Sequence, residues 1–181
     1  MKIGLQITKN EKKYDRLLSL IKNDFSQDVD FIHIPDEDSL KSNFKHLDAL
    51  VCYGIKKENF DYSSDKLKWI HIGASGVDGN LFPELIKSKV MITNAKGINA
   101  KPVAEFIMSQ VLYFSKQLYS CEAFKQNRVW NQWELAKKTK QLSDLTLGII
   151  GYGEIGKELS KLAKPFGMKV MATRRLQKKI E

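Results

Sequence analysis

The segment Gly151-Tyr152-Gly153-Glu154-Ile155-Gly156 carries three glycines spaced G-x-G-x-x-G, and each has a physical task at a strand-to-helix turn. Gly151 permits the tight turn, Gly153 lets the backbone approach a pyrophosphate, and Gly156 allows a helix to pack closely on a strand. The N–H groups near Glu154 and Ile155 would then face phosphate oxygens with the helix dipole behind them. Such a motif alone is weak, because glycines gather in many loops. Here Thr146–Ile150 reads as a buried strand before it, and a helix with Ile155, Leu159, Leu162 and Ala163 as its buried face reads after it. Gly167 ends that helix and Lys169–Thr173 reads as the next strand. With all of these at the correct spacing, dinucleotide binding is the expectation. An acidic residue after the second strand would accept from a ribose 2′-hydroxyl. Thr173-Arg174-Arg175 stands there instead, and two guanidiniums suit a 2′-phosphate. That favours NADP(H) slightly over NAD(H); the plain alternative is a solvated strand end.

The elements that must position this turn alternate along the chain. Lys2–Ile7, Val29–Ile34, Ala49–Gly54, Leu67–Ile72 and Val90–Asn94 read as strands. Glu11–Asn23, with Tyr14, Leu17, Leu18 and Ile21 at helical spacing, and Asp36–Lys45, with Leu40 and Phe44 on one face, read as helices. This alternation predicts an α/β fold with a parallel sheet covered on both faces. At Gly97 the character changes. Asn99 is a candidate N-cap, Pro102 lies in the first helical turn, and Val103–Tyr119 is apolar nearly all round, as for a helix buried between domains. A domain boundary is therefore expected near Ala95–Asn99. Arg128–Lys140, with Trp130 and Trp133, reads as a connector.

Composition narrows the class. With 43% hydrophobic and 28% charged residues over 181 positions, the chain can bury a core without staples. No uncharged apolar run approaches the roughly 18 residues of a membrane span, and the first residues are too soon interrupted for a secretory signal. Cys52 and Cys121 form no CxxC and no metal-ligand cluster, which points to a reduced, cytoplasmic setting. The net charge of +9 is spread along the chain without any nucleic-acid-binding motif; its densest cluster is Arg174, Arg175, Lys178 and Lys179. A solvated basic surface is the expectation, with neither a nucleic acid nor a membrane as partner.

Three segments taken together carry a resemblance. They are Leu67–Asp78 (LKWIHIGASGVD), Asn94–Phe106 (NAKGINAKPVAEF), and Leu147–Gly156 followed by Phe166–Val170. In this order and spacing they resemble the D-isomer-specific 2-hydroxyacid dehydrogenases, the group that includes glyoxylate and hydroxypyruvate reductases. The resemblance implies a flavodoxin-like substrate domain over residues 1–98. Residues 99–181 would then hold an interdomain helix and the first βαβ unit of an NAD(P)-binding Rossmann domain. It implies that Ala74, Ser75, Gly76 and Val77 offer backbone N–H groups to a substrate carboxylate, as a small glycine-containing turn can. Tyr53 and Gly54 would face the same cleft, Val103 would lie near the nicotinamide, and Asp78 would hold the loop or cap the next helix. Without the resemblance, Ser75–Asp78 reads as an ordinary strand-to-helix turn.

The implied activity is NAD(P)-dependent reduction of a small 2-keto acid to the D-2-hydroxy acid by a homodimer. The family's catalytic histidine, its carboxylate partner and its arginine are expected beyond residue 181, so no catalytic residue is assigned. His33 and His71 fall in predicted strands and His46 at a helix end; packing or surface roles are expected, with His71 the least implausible exception. Only two of roughly six Rossmann strands are supplied. The chain is therefore expected to be truncated in its cofactor domain and inactive alone. The alternative is a non-enzymatic nucleotide-sensing or dimerising module derived from the same family.

Overall fold

The computed structural model describes residues 1–25 and 28–175, which form two compact units, Met1–Lys96 and the chain from Gly97 onward. The first unit runs β1 (Lys2–Gln6), α1 (Glu11–Ile21), β2 (Asp30–His33), α2 (Glu37–Asn43), β3 (Ala49–Cys52), α3 (Lys57–Phe60), β4 (Trp69–Ile72), α4 (Pro83–Lys87) and β5 (Met91–Asn94). Its five strands are all parallel, in the order β2-β1-β3-β4-β5. This is the flavodoxin-like order, with its topological switch between β1 and β3. Strand periodicity divides the side chains between two faces. Ile3, Leu5 and Ala49 pack under α1 through Tyr14, with Leu18 and Ile21 partly buried beside it. Leu50, Cys52, Ile70 and Ile72 pack on the other face against Leu40, Phe44 and Leu85 of the segments between strands.

The predicted strands and helices of this unit are present, trimmed at their ends. Asn10 caps α1 by accepting from the Lys13 N–H at 2.9 Å, and Asp36 caps α2 by accepting from Ser39 N–H at 2.8 Å. Not every strand is buried as its run of apolar residues suggests. β5 is an edge strand, and Met91 is exposed. The short α3 and α4 were not legible, being only one turn each.

The second unit runs α5 (Ala100–Ser115), α6 (Leu118–Gln126), α7 (Gln132–Lys138), β6 (Thr146–Ile150), α8 (Glu154–Ala163) and β7 (Lys169–Thr173). β6 and β7 pair in parallel. Ile149, Leu159, Ala163 and Met168 form its core with Ala104 and Met108 of α5.

Five expectations are corrected here. The helix expected over Val103–Tyr119 is two helices, broken where Gln117 takes a left-handed φ of +57°. Its side chain eases that conformation locally: Gln117 Nε2 donates to Phe114 O at 3.0 Å and Tyr119 Oη donates to its Oε1. Nor is α5 covered all round within its unit: Phe106 and Phe114 are exposed, while Ala104 and Met108, with Ile107, Val111 and Leu112 partly buried beside them, face the core. The connector Arg128–Lys140 contains α7, started by Asn131, which accepts from Glu134 N–H and donates to its carboxylate. Finally, Ile155 is not on the buried face of α8: it stands in the first turn, beyond the strand end that would cover it, and is 42% exposed. β6 is likewise buried only at Ile149, because no element covers its other face among the described residues.

Candidate functional site

In the first unit the chemistry expected of the loops falls at the carboxyl edge of the sheet, where open α/β sheets bind ligands. The turns after β3, β4 and β5 are laced together there. Gly73 N–H donates to Cys52 O at 2.7 Å, and Ala95 N–H is within 3.1 Å of both Ile72 O and Ala74 O. The Tyr53 ring lies so close to Gly73 that a Cβ on that glycine would sit 3.2 Å from it. Tyr53 and Gly54 are thus brought beside Ala74, Ser75, Gly76 and Val77. The N–H groups of Ser75, Gly76 and Val77 have no protein acceptor among the described residues. Donors clustered in a small turn are what an anion-binding nest requires.

Two residues that the sequence did not reveal hold these turns. Asn94 Nδ2 donates to Ser75 O at 2.8 Å, and Asn80 Oδ1 accepts from Ile55 N–H at 2.9 Å, an approach possible because Gly54 has no side chain to block it. Asp78, expected to hold the loop, makes no side-chain hydrogen bond or ion pair among the described residues. It opens a 3-10 turn, Asp78–Asn80, and Asn80 does the tethering instead. Both asparagines lie outside any motif, so only a test of which side chains reach a backbone group across the fold would find them. A cleft of about 400 Å³ opens at the β1/β3 switch, lined by Thr8, Lys9, Asp36, Tyr53 and Gly54 among others.

In the second unit the glycine turn has the geometry its spacing implies. Gly151 has φ +94°, in the left-handed region. A Cβ on Gly156 would meet Gly151 O at 2.9 Å and Ile149 Cγ2 at 3.1 Å, so α8 could not sit this close with any other residue there. A Cβ on Gly153 would meet nothing within 4 Å, which leaves the space above it open. Gly153 is the N-cap of α8 and has no side chain to accept from the first turn, so the Ile155 and Gly156 N–H groups have no protein acceptor among the described residues. An uncapped helix start above a glycine with open space fits a pyrophosphate. Glu154 is paired with Lys157 at 2.9 Å. Tyr152 is half-buried in the turn, which Thr173 O anchors to β7 by accepting from the Gly151 and Tyr152 N–H groups at 3.2 and 2.9 Å. Arg174 and Arg175 follow directly and are exposed, while Lys178 and Lys179 lie outside the described residues. Val103 is half-buried in the first turn of α5.

The histidines have structural partners. His33 stacks on Tyr14 with ring centroids 4.2 Å apart and donates through Nε2 to Thr8 O at 2.8 Å. His71 Nδ1 lies 2.9 Å from Thr93 Oγ1, which also accepts from Trp69 Nε1 at 2.8 Å. Its ring is therefore fixed against β5 rather than in the loop beyond β4. His46 is exposed in a 3-10 turn. Burial pushes the Cys52 thiol up to about 11, against a partial offset from the Gly54 backbone.

Residues 108–181 match the model of the D-isomer specific 2-hydroxyacid dehydrogenase NAD binding domain. Through these residues the chain is similar to the D-isomer-specific 2-hydroxyacid dehydrogenase family. Its relatives include a glyoxylate reductase of Thermococcus litoralis, 29% identical over 151 residues, covering 80% of this chain and 46% of the relative. A hydroxypyruvate reductase of Thermotoga maritima is 31% identical over 156 residues, covering 84% of this chain and 50% of the relative. The chain thus spans about half the length of these members of the family. A family member of known structure, from Lactobacillus delbrueckii ssp. bulgaricus in an NAD-complexed form, superposes with a TM-score of 0.77 at 16% identity, covering 98% of this chain and 55% of that one. At that identity the likeness speaks for the fold, and the fold agrees with the flavodoxin-like and Rossmann-type assignments. The dinucleotide-binding character of the second unit follows from the family model. No described helix is long and apolar enough to cross a membrane.

Proposed function

We propose that this chain supplies the substrate-binding loops and the first half of the cofactor site of an NAD(P)-dependent D-2-hydroxyacid dehydrogenase acting on a small 2-keto acid. The observation that carries the reading is the glycine turn, with Gly151 in a left-handed conformation and Gly156 too crowded for a Cβ, inside a segment that matches the NAD-binding family model. A bound nicotinamide would supply hydride to the substrate carbon. This chain's residues do the holding. Gly153, Ile155 and Gly156 present open space and free N–H groups to the pyrophosphate, and Val103 borders the nicotinamide. The Ser75–Val77 N–H groups hold the substrate carboxylate, while Tyr53 and Gly54 close the cleft beside it.

Arg174 and Arg175 slightly favour NADP(H) over NAD(H), since each exposed guanidinium can pair with a 2′-phosphate and neither accepts from a 2′-hydroxyl. The partners are a small 2-keto or 2-hydroxy acid and a second copy of the chain. The free thiols of Cys52 and Cys121 suit a reduced cytoplasmic location. Assayed by itself, the polypeptide of residues 1–181 turns over no substrate, because none of its histidines stands free at the substrate loops.

The test is a fluorescence titration with NADPH and NADH, alongside an assay with glyoxylate, hydroxypyruvate and pyruvate. NADPH is expected to bind more tightly, with Arg174→Gln/Arg175→Gln removing about tenfold of that preference. Tighter NADH binding would overturn the cofactor assignment, and absence of any nucleotide binding would overturn the site. Steady NADPH oxidation by the pure polypeptide would overturn the absence of turnover.

A further inference from the structure

A second cleft, of about 580 Å³, opens at the amino-terminal edge of the first sheet, between the segments that lead into β4 and β5. It lies at the opposite end of the strands from Tyr53 and the Ala74–Val77 turn. Leu67, buried at 3% exposure, forms its floor with the half-buried Phe60 and Val90. Lys68, Lys87 and Lys89 line it, with Asp65 as the one acidic residue of the lining.

The ammonium groups there make no ion pair among the described residues, although Glu84 lies close enough to Lys87 to feel its charge. Lys68 Nζ donates to Asp65 O at 2.5 Å, but a carbonyl carries no compensating charge. Glu84, the acid nearest Lys87 in sequence, is held by Lys57 at 2.5 Å, and no hydrogen bond or ion pair engages the Lys87 or Lys89 ammonium among the described residues. The walls are preset. Ser64 Oγ donates to Lys45 O and accepts from Lys66 N–H, while Ser88 Oγ donates to Leu85 O and accepts from Val90 N–H. Ser63 lines the same cleft, and its hydroxyl has no such commitment.

We propose that this cleft binds a small organic phosphomonoester. Three ammonium groups against one carboxylate leave an excess of two positive charges, which a phosphate dianion balances and a monocarboxylate does not. Lysine acts on phosphate as a point charge, and the Ser63 hydroxyl adds a donor. The Phe60–Leu67–Val90 floor takes the carbon portion, and the volume lies within the range of small-molecule sites. Loops already fixed by their serines cost little ordering entropy on binding.

The test titrates phenyl phosphate, and separately inorganic phosphate, into isotope-labelled protein and follows backbone amide shifts. Saturable shifts at Ser63, Lys68, Lys89 and Val90 are expected, with phenyl phosphate the tighter ligand. Lys87→Gln/Lys89→Gln, at exposed positions, should weaken binding about tenfold or more while far-ultraviolet circular dichroism is unchanged. Arg174→Gln/Arg175→Gln should leave it unaltered. Shifts that do not saturate, that map to Gly151–Gly156 instead, or that persist in the lysine variant would overturn the proposal. Equal affinity for inorganic phosphate would overturn its organic component. None of these outcomes depends on the dehydrogenase reading.

Discussion

Strands β3 and β6 are both short apolar runs, Ala-Leu-Val-Cys and Thr-Leu-Gly-Ile-Ile, yet their surroundings differ. β3 lies between β1 and β4, with helices on both faces, and Leu50 is fully buried. β6 has β7 as its one neighbour, and helices cover only the face that carries Leu147 and Ile149. On the other face Ile150 is 96% exposed and Met171 69% exposed. An apolar run therefore specifies a strand, but the number of its neighbours sets how much of that run contributes to stability. The two units also differ in how their exposed turns are held. Ser75–Val77 is held by side chains reaching from other elements, whereas the glycine turn is fixed by its own backbone and by Thr173 O.

The largest effect should come from the doubly covered unit. Phe44→Ala removes a fully buried ring and should cost about 3–5 kcal/mol. The fluorescence of Trp69, the one tryptophan in that unit, followed through a urea titration, reports it. A loss below about 1 kcal/mol would mean that this core is looser than its burial implies. Gly156→Val comes next. The added Cβ must displace the Gly151 carbonyl, an overpacking cost of about 1–3 kcal/mol, and dinucleotide binding by titration should be lost while the Trp69 transition stays in place. If the Trp69 transition moves as well, the two units do not unfold independently.

A pH titration sharpens the same contrast. The buried Cys52 thiol is raised from its ordinary 9.0 to about 11, so the unfolded chain releases this proton before the folded chain does. Stability of the first unit should then fall as pH rises from about 9, and Cys52→Ala should make that slope shallower, leaving the part that comes from Tyr14, Lys56 and Lys57, whose pKa values are also raised. Below pH 9 the group contributes no pH dependence. The smallest effect is expected at Ile150→Thr, within about 0.5 kcal/mol, because that side chain is already in water. A larger loss would show that the exposed face of β6 is covered in solution.

Much of this was legible because it is local. The glycine spacing, the strand alternation and the caps at Asn10 and Asp36 depend on residues a few positions apart, and the structure follows them. Other features depend on distant partners. Asn94 and Asn80 act through backbone groups 19 and 25 residues away, so nothing in their immediate sequence marks them. The break at Gln117 leaves no mark in the sequence because glutamine rarely adopts a left-handed conformation, and here its own side chain makes it tolerable. Ile155 was misplaced because helical periodicity shows which residues share a face but not where the covering strand ends.

The sequence by itself determined the order of elements, the boundary region near Gly97 and the phosphate-type turn at Gly151–Gly156, since backbone sterics and short-range hydrogen bonds decide these. Tertiary structure alone decided which apolar faces are covered, which asparagines tether the loops after β3 and β4, and that Lys68, Lys87 and Lys89 share one cleft. Burial and charge density depend on what the fold brings alongside, and a linear spacing does not carry that information.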